Sequence, residues 1–284
     1  MPMDLGLYGV WTTYAAIGEE NAAEAAALVQ DLGFGTFWLG GSPRLPGLRP
    51  LLTGADRITV ATGIVNVWQY DPADLAAEYA ELAPEFGDRL LVGIGIGHPE
   101  ATSDYRRPLS AMRSFLDGLD QAPTPLPADR RCLAALGPKM LELAAARSRG
   151  AHTYFVPVDH TRSARQLLGP EPLIATELAC VVDADPASAR EKARAYASRY
   201  LGLSNYTRNL LEFGFTEQDL ADGGSDWLID AIIPHGTPEQ IGAVADDHLD
   251  AGADHVCLQP VGVTGIARSE WTALAKALAP RLHG

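Results

Sequence analysis

The chain has 284 residues, 47% of them hydrophobic and 20% charged, which is the balance of a globular protein long enough to bury a large core without metal or disulfide staples. Its formal charge of −14 argues against a nucleic-acid partner, since phosphate binding needs clustered Lys and Arg. No stretch approaches the ~18 uninterrupted apolar residues that would suggest a membrane span.

Asp4–Val10 is a short apolar opening segment. Glu19–Leu32 carries Ala and Leu at helical spacing and stops before Gly33, a common helix terminator. Phe34–Leu39 reads as a strand ending in Gly40-Gly41. Arg57–Trp68 contains ITVATGIVNVW, rich in the β-branched residues that favour strands. Pro72–Phe86 reads as a helix, with Asp71 as its N-cap and Pro72 in the first turn. The strand Arg89–Ile96 (RLLVGIGI) and the helix Pro108–Leu119 come next. Arg131–Leu136 is a strand and Pro138–Ser148 a helix. Ala151–Val156 is a strand, followed by a short helix at Thr161–Leu168. Pro172–Val182 is a strand, and Pro186–Leu201 a helix opened by Asp185. Pro238–Ala251 is a helix, Asp254–Gln259 the last strand and Ser269–Leu282 the closing helix.

Strands apolar on both faces need cover on both faces, and parallel α/β layers supply it. Eight such units predict a closed (β/α)₈ TIM barrel spanning residues 1–284 as one domain; an open doubly wound sheet is the alternative. Two segments interrupt the alternation. Gln121–Arg130 carries three prolines and reads as a loop. Gly202–Gly236 reads as a helical insertion of two or three short helices before the last strand. Insertions in barrels usually decorate the end where chemistry sits.

Cys132, Cys180 and Cys257 each lie in an apolar run, with no Cys-x-x-Cys or Cys/His ligand spacing. They read as buried reduced thiols, and no metal site is expected. The opening MPMDLGLYGVW lacks a signal-peptide pattern, so a cytoplasmic setting is expected. His-Glu-x-x-His and Gly-x-Ser-x-Gly are missing, which removes zinc and serine hydrolysis. GIGIGHPE (93–100) fails the dinucleotide fingerprint because position 98 is His.

Candidate site residues are those at the C-terminal ends of strands. Small residues recur there: Gly40-Gly41-Ser42, then Gly63-Ile64-Val65-Asn66, then Gly95-Ile96-Gly97-His98, then Ala135-Leu136-Gly137-Pro138. Each cluster taken alone is a tight turn; four at one face would let a planar ligand meet backbone. His98 is the candidate for acid–base work. Arg162 and Arg165, beside a helix start, are candidates for holding phosphate, with solvated surface arginines as the plainer reading. Trp11, Trp38 and Trp68, near three strand ends, would together wall an aromatic pocket for substrate; each alone would serve as core.

Several segments resemble the luciferase-like monooxygenase superfamily, in particular its coenzyme F420-dependent branch. They are LGFGTFWLGGSP (32–43), ITVATGIVNVWQYDPADLAAEYAEL (58–82), RLLVGIGIGHPE (89–100), LAALGPKMLELAAARSRGAHTYFV (133–156) and AGADHVCLQP (251–260). DHTRSARQLLGPEPLIATELACV and NYTRNLLEFGFTEQDLADGGSDWLIDAI extend the resemblance through nearly the whole chain. The resemblance implies an oxidoreductase, with hydride passing between F420 and a small organic substrate. The alternatives are an FMN-dependent monooxygenase and a non-catalytic cofactor-binding barrel. It also implies a homodimer. In that family the third strand ends in a bulge with a non-prolyl cis peptide backing the deazaflavin; the matching position is Gly63-Ile64. Gly41 falls at the matching strand-two end, and Asn66 matches a polar cofactor contact. Gly97 and His98 match the strand-four end beside the ring, and Ala134, Ala135, Leu136 and Gly137 a segment that approaches it by backbone. Two departures stand out. F420-dependent glucose-6-phosphate dehydrogenases place Asp-His where Gly41-Ser42 stands and Glu where His98 stands, so that substrate is not expected.

Overall fold

The structure, a computed structural model, describes residues 3–101 and 107–282. Its strands in chain order are β1 (Tyr8–Thr13), β2 (Thr36–Gly40), β3 (Thr59–Thr62), β4 (Val65–Asn66) and β5 (Leu90–Gly95), then β6 (Arg131–Ala134), β7 (Gly150–Thr153), β8 (Leu173–Val182), β9 (His235–Gly236) and β10 (His255–Pro260). The two-residue β4 and β9 pair in parallel alongside the C-terminal ends of β5 and β8. The other eight pair in parallel, in the order β1-β2-β3-β5-β6-β7-β8-β10. Cys257 of β10 sits beside Glu177 of β8 on one side and Gly9 of β1 on the other, so the ring closes. The architecture is therefore a (β/α)₈ TIM barrel, and closure leaves no strand edge in the ring unpaired.

Helices cover the outside of the ring. The helix Pro72–Phe86 begins where Asp71 Oδ1 accepts the Ala73 N–H at 2.8 Å, and it buries Leu75, Ala76, Tyr79, Leu82 and Phe86. Pro238–Asp250 starts with a reciprocal capping box between Thr237 and Gln240. Each Leu sealed in this layer contributes roughly 1.5–3 kcal/mol of burial free energy.

The ring's interior is plugged. Trp38 stacks on His152 with ring centroids 4.2 Å apart and planes 12° apart, and its Nε1 donates to His255 Nε2 at 3.0 Å. Ala61, Leu91, Cys132, Ala175 and Cys257 pack around them. His152 Nδ1 donates to the Ala175 carbonyl and His255 Nδ1 to that of Gly6, at 3.0 and 2.8 Å. Burial lowers both imidazoles to about 4, so both are neutral near pH 7.

Several elements differ from expectation. β1 starts at Tyr8 and runs to Thr13 because Gly6, at φ +65° with its N–H on Asp4 Oδ1, turns the chain before the strand begins. The Arg57–Trp68 segment is broken at a cis Gly63–Ile64 peptide, leaving β3 and β4. After β2 a helix forms at Arg49–Gly54, a stretch to which the sequence reading assigns no element; Pro50 sits in its first turn, where a missing N–H costs nothing. The helix expected at Thr161–Leu168 starts at Val158. The insertion contains helices at Ser204–Glu212, Glu217–Leu220 and Asp226–Ile232. None of the described helices is long and apolar enough to cross a membrane.

Candidate active site

A cavity of about 530 Å³ opens at the C-terminal mouth of the barrel. One wall is backbone. Gly41, Gly63-Ile64, Asn66, Gly97 and the run Ala134–Gly137 all line it. Close packing behind the wall explains its composition. The Trp11 indole lies against the strand ends, so a Cβ at Gly40 or Gly63 would fall 2.3 or 2.4 Å from it. A Cβ at Gly95 would fall 2.6 Å from the Ile64 side chain. Gly41 and Gly137 are different: a Cβ at either would meet no atom within 4 Å. The wall is thus bare because side chains are missing from its surface.

Local hydrogen bonds hold this wall in place. Ser42 Oγ accepts the Asn66 N–H at 2.9 Å, tying the end of β2 to β4. Asn66 Oδ1 accepts the Trp68 N–H at 3.0 Å, and Trp68 Nε1 donates to the Ile96 carbonyl at 2.7 Å. His160 Nε2 donates to the Leu136 carbonyl at 2.9 Å.

The floor comprises Trp11, His152 and Tyr154. Tyr154 Oη lies 2.6 Å from Tyr196 Oη and 3.0 Å from Tyr200 Oη, and donates to Gln259 Oε1 at 2.9 Å. Burial first, then the neighbouring Tyr196 and Glu177, raise its pKa, so the phenol keeps its proton. Glu177, 2% exposed inside the ring, accepts the Phe155 N–H at 3.4 Å. Burial pushes its carboxyl up to about 8, leaving it uncharged near neutral pH.

The opposite wall is the helix Ser204–Glu212, which contributes Asn205, Tyr206, Arg208, Asn209 and Glu212. Leu203 provides no side-chain cap for it. Glu100, after β5, accepts the Ser204 N–H at 3.0 Å and caps the helix from outside. That bond is the main cause of the lowered Glu100 pKa. His98 stands between these walls, its ring centroid 4.9 Å from that of Tyr206. Burial lowers its pKa, opposed by the Glu100 charge. Asn205 Nδ2 lies 3.5 Å from His98 Nδ1 and donates to the Gly97 carbonyl at 3.2 Å. An amide NH₂ can only donate, so Nδ1 is the acceptor and Nε2 carries the hydrogen of the neutral ring.

The cavity brings together His98, Trp11 and, from the glycine-rich strand ends, Gly41, Ser42, Gly63, Ile64, Asn66, Ile96, Gly97 and Ala134–Gly137. It excludes four others. Trp38 is fully buried in the plug below the floor. Trp68 braces the wall from behind. Arg162 is exposed and paired with Asp159. Arg165 reaches the opposite end of the barrel, where it donates to the carbonyls of Gly252, Gly169 and Pro172 and pairs with Asp254 at 2.6 Å. Neither arginine meets the cavity. Sequence reasoning missed the floor tyrosine and the whole insertion wall. A signal existed for the latter: positions 205, 208, 209 and 212 follow the i, i+3, i+4, i+7 spacing of one helix face.

A closed parallel barrel with a cavity at its C-terminal mouth places the protein in the broad class of α/β barrels whose ligand sites lie at that face. Within it, the family model for luciferase-like monooxygenases matches residues 7–255, and the chain belongs to that family. No curated protein matches the chain in sequence. Among solved structures, an F420-dependent secondary alcohol dehydrogenase in complex with an F420–acetone adduct is 14% identical with a TM-score of 0.76, over 99% of this chain and 100% of that one. The F420-dependent tetrahydromethanopterin reductase of Methanopyrus kandleri is 15% identical with a TM-score of 0.73, over 98% and 100%. The oxygenating constituent of 3,6-diketocamphane monooxygenase from Pseudomonas putida, in complex with FMN, is 13% identical with a TM-score of 0.67, over 99% and 98%. At these identities the likeness establishes the fold.

Proposed function

We propose that the protein is an F420-dependent oxidoreductase acting on a small organic substrate at the barrel mouth. The observation that carries this reading is the bare wall formed by Gly41, Gly63-Ile64 and Ala134–Gly137, facing polar side chains across a cavity of about 530 Å³. A flat tricyclic ring suits such a surface, because a Cβ at Gly41 or Gly137 would occupy open space there. Gly63, Ile64, Asn66, Gly97 and the Ala134–Gly137 backbone would hold the ring. When bound, the deazaflavin supplies a carbon that accepts or donates hydride.

The chain's own residues do the rest. Ile64, Ile96 and Met140 give the cavity apolar surface and limit water. Neutral His98 presents Nε2–H, which can hydrogen-bond a substrate oxygen as negative charge builds on it. Tyr206 packs against the His98 ring and fixes its direction. The helix Ser204–Glu212 positions the substrate side of the cavity.

A second reading is FMN-dependent monooxygenation, supported by the likeness to an FMN-bound oxygenating subunit. Parallel titration of the purified protein with F420 and FMN, followed by fluorescence, tests both. F420 binding with no measurable FMN binding is the expected result; the reverse moves the assignment to the flavin, and binding of neither ends the oxidoreductase reading.

A further inference from the structure

Two candidates for anion binding, Arg162 and Arg165, are committed elsewhere, and the cavity's described lining contains one guanidinium, that of Arg208. Arg208 makes no ion pair, hydrogen bond or ring contact with the described residues. Several other arginines of this acidic chain are paired, as Arg131 is with Asp120 and Arg190 with Asp230. Glu212 lies one turn further along the same helix and also lines the cavity, yet the two do not form an ion pair. The next residue supplies a separate clue. Asn209 is 5% exposed, lines the same cavity, and its Nδ2 has no hydrogen-bond partner. A buried amide donor left unpaired is costly, and one on a cavity wall points to a ligand that completes it.

We propose that Arg208 and Asn209 form an anion subsite on the insertion wall. It takes a carboxylate or phosphate, whose paired oxygens match the guanidinium fork and can accept from the amide. Such a group can come from the substrate or from the phosphate-bearing tail of the cofactor. The subsite extends the oxidoreductase reading by naming a charged handle on one of the two ligands. Glu212 tunes it: its charge opposes an incoming anion and screens out weak ones.

The test uses wild type, Arg208→Gln, Arg208→Lys and Glu212→Gln, each first checked for unchanged thermal unfolding. An exposed side chain with no partner should pass that check. Each protein is titrated with F420 and FMN, with the phosphate-free deazaflavin nucleoside and riboflavin, and with benzoate and inorganic phosphate. If the cofactor tail is the anion, Arg208→Gln weakens the phosphate-bearing forms about tenfold or more and leaves the phosphate-free forms unchanged. If the substrate carries it, all four ring compounds bind as before and benzoate or phosphate weakens by that factor. In either case Arg208→Lys recovers part of the loss and Glu212→Gln tightens binding. Equal binding of every anionic probe by wild type and Arg208→Gln overturns the subsite. Should wild type bind no ring compound, the oxidoreductase reading falls, while the benzoate and phosphate titrations still decide the subsite.

Discussion

His98 sits where burial and a nearby charge pull in opposite directions. Burial favours the neutral ring and Glu100 the charged one, with burial the larger effect. The ring therefore protonates only below the usual histidine range, and any step needing its neutral form loses rate on an acid limb below pH 6.5. Glu100→Gln removes the opposing charge, so this limb should move to lower pH. A pH–rate profile of wild type and variant measures it; a limb that stays put or moves upward contradicts the arrangement. At this scale the sequence was legible for residues whose position is set by a strand end. The glycine runs and His98 could be placed because strands of a parallel barrel finish at one face. Arg165 went astray for a geometric reason. It lies seven residues beyond the start of its helix at Val158, and a rise of about 1.5 Å per residue carries it roughly 10 Å away from the mouth. Trp38 was misplaced because alternation along β2 does not reveal how deep in the ring an inward residue sits.

The helix Ser204–Glu212 forms a whole wall of the cavity, and although the sequence placed helices in this insertion it did not reveal that wall. Most of its cavity-facing positions are polar, Asn205, Arg208, Asn209 and Glu212 among them, so its sequence resembles an exposed surface segment. Only the fold reveals that Asn209 is buried on the cavity wall and that Tyr206 and Leu210 pack with Leu228, Ile229 and Ile232 of the neighbouring helix in a second core cluster. Leu210 is completely sealed in that cluster. Leu210→Ala should cost about 2–5 kcal/mol of stability by urea unfolding, through lost burial and the cavity left behind. A cost below about 0.5 kcal/mol, the range of surface changes, would mean the helix is not anchored there. The regular outer helices were easier to read because caps and periodicity agree, as at Asp71 and at the Thr237–Gln240 box.

For the molecule as a whole, Glu177 links stability to pH. Its folded pKa of about 8 exceeds the ordinary 4.5, so the folded state holds a proton that the unfolded chain releases. That contribution is fully present below pH 4.5 and is lost as pH rises through 8. Glu177→Gln has no proton to release. Its melting temperature relative to wild type should therefore climb between pH 5 and pH 8; a gap independent of pH would show that the carboxyl is already ionised in the folded protein. Barrel closure itself was readable from eight apolar strand segments alternating with helices, whereas the burial of an acid among tyrosines from separate elements was not, since it arises only on assembly.

The Trp38–His152 stack has a kinetic corollary. With the ring corked beneath its floor, traffic from the far end of the barrel is blocked and ligands share the mouth as their doorway. Two molecules sharing such a dead-end vestibule come and go through one opening, so each stands in the path of the other.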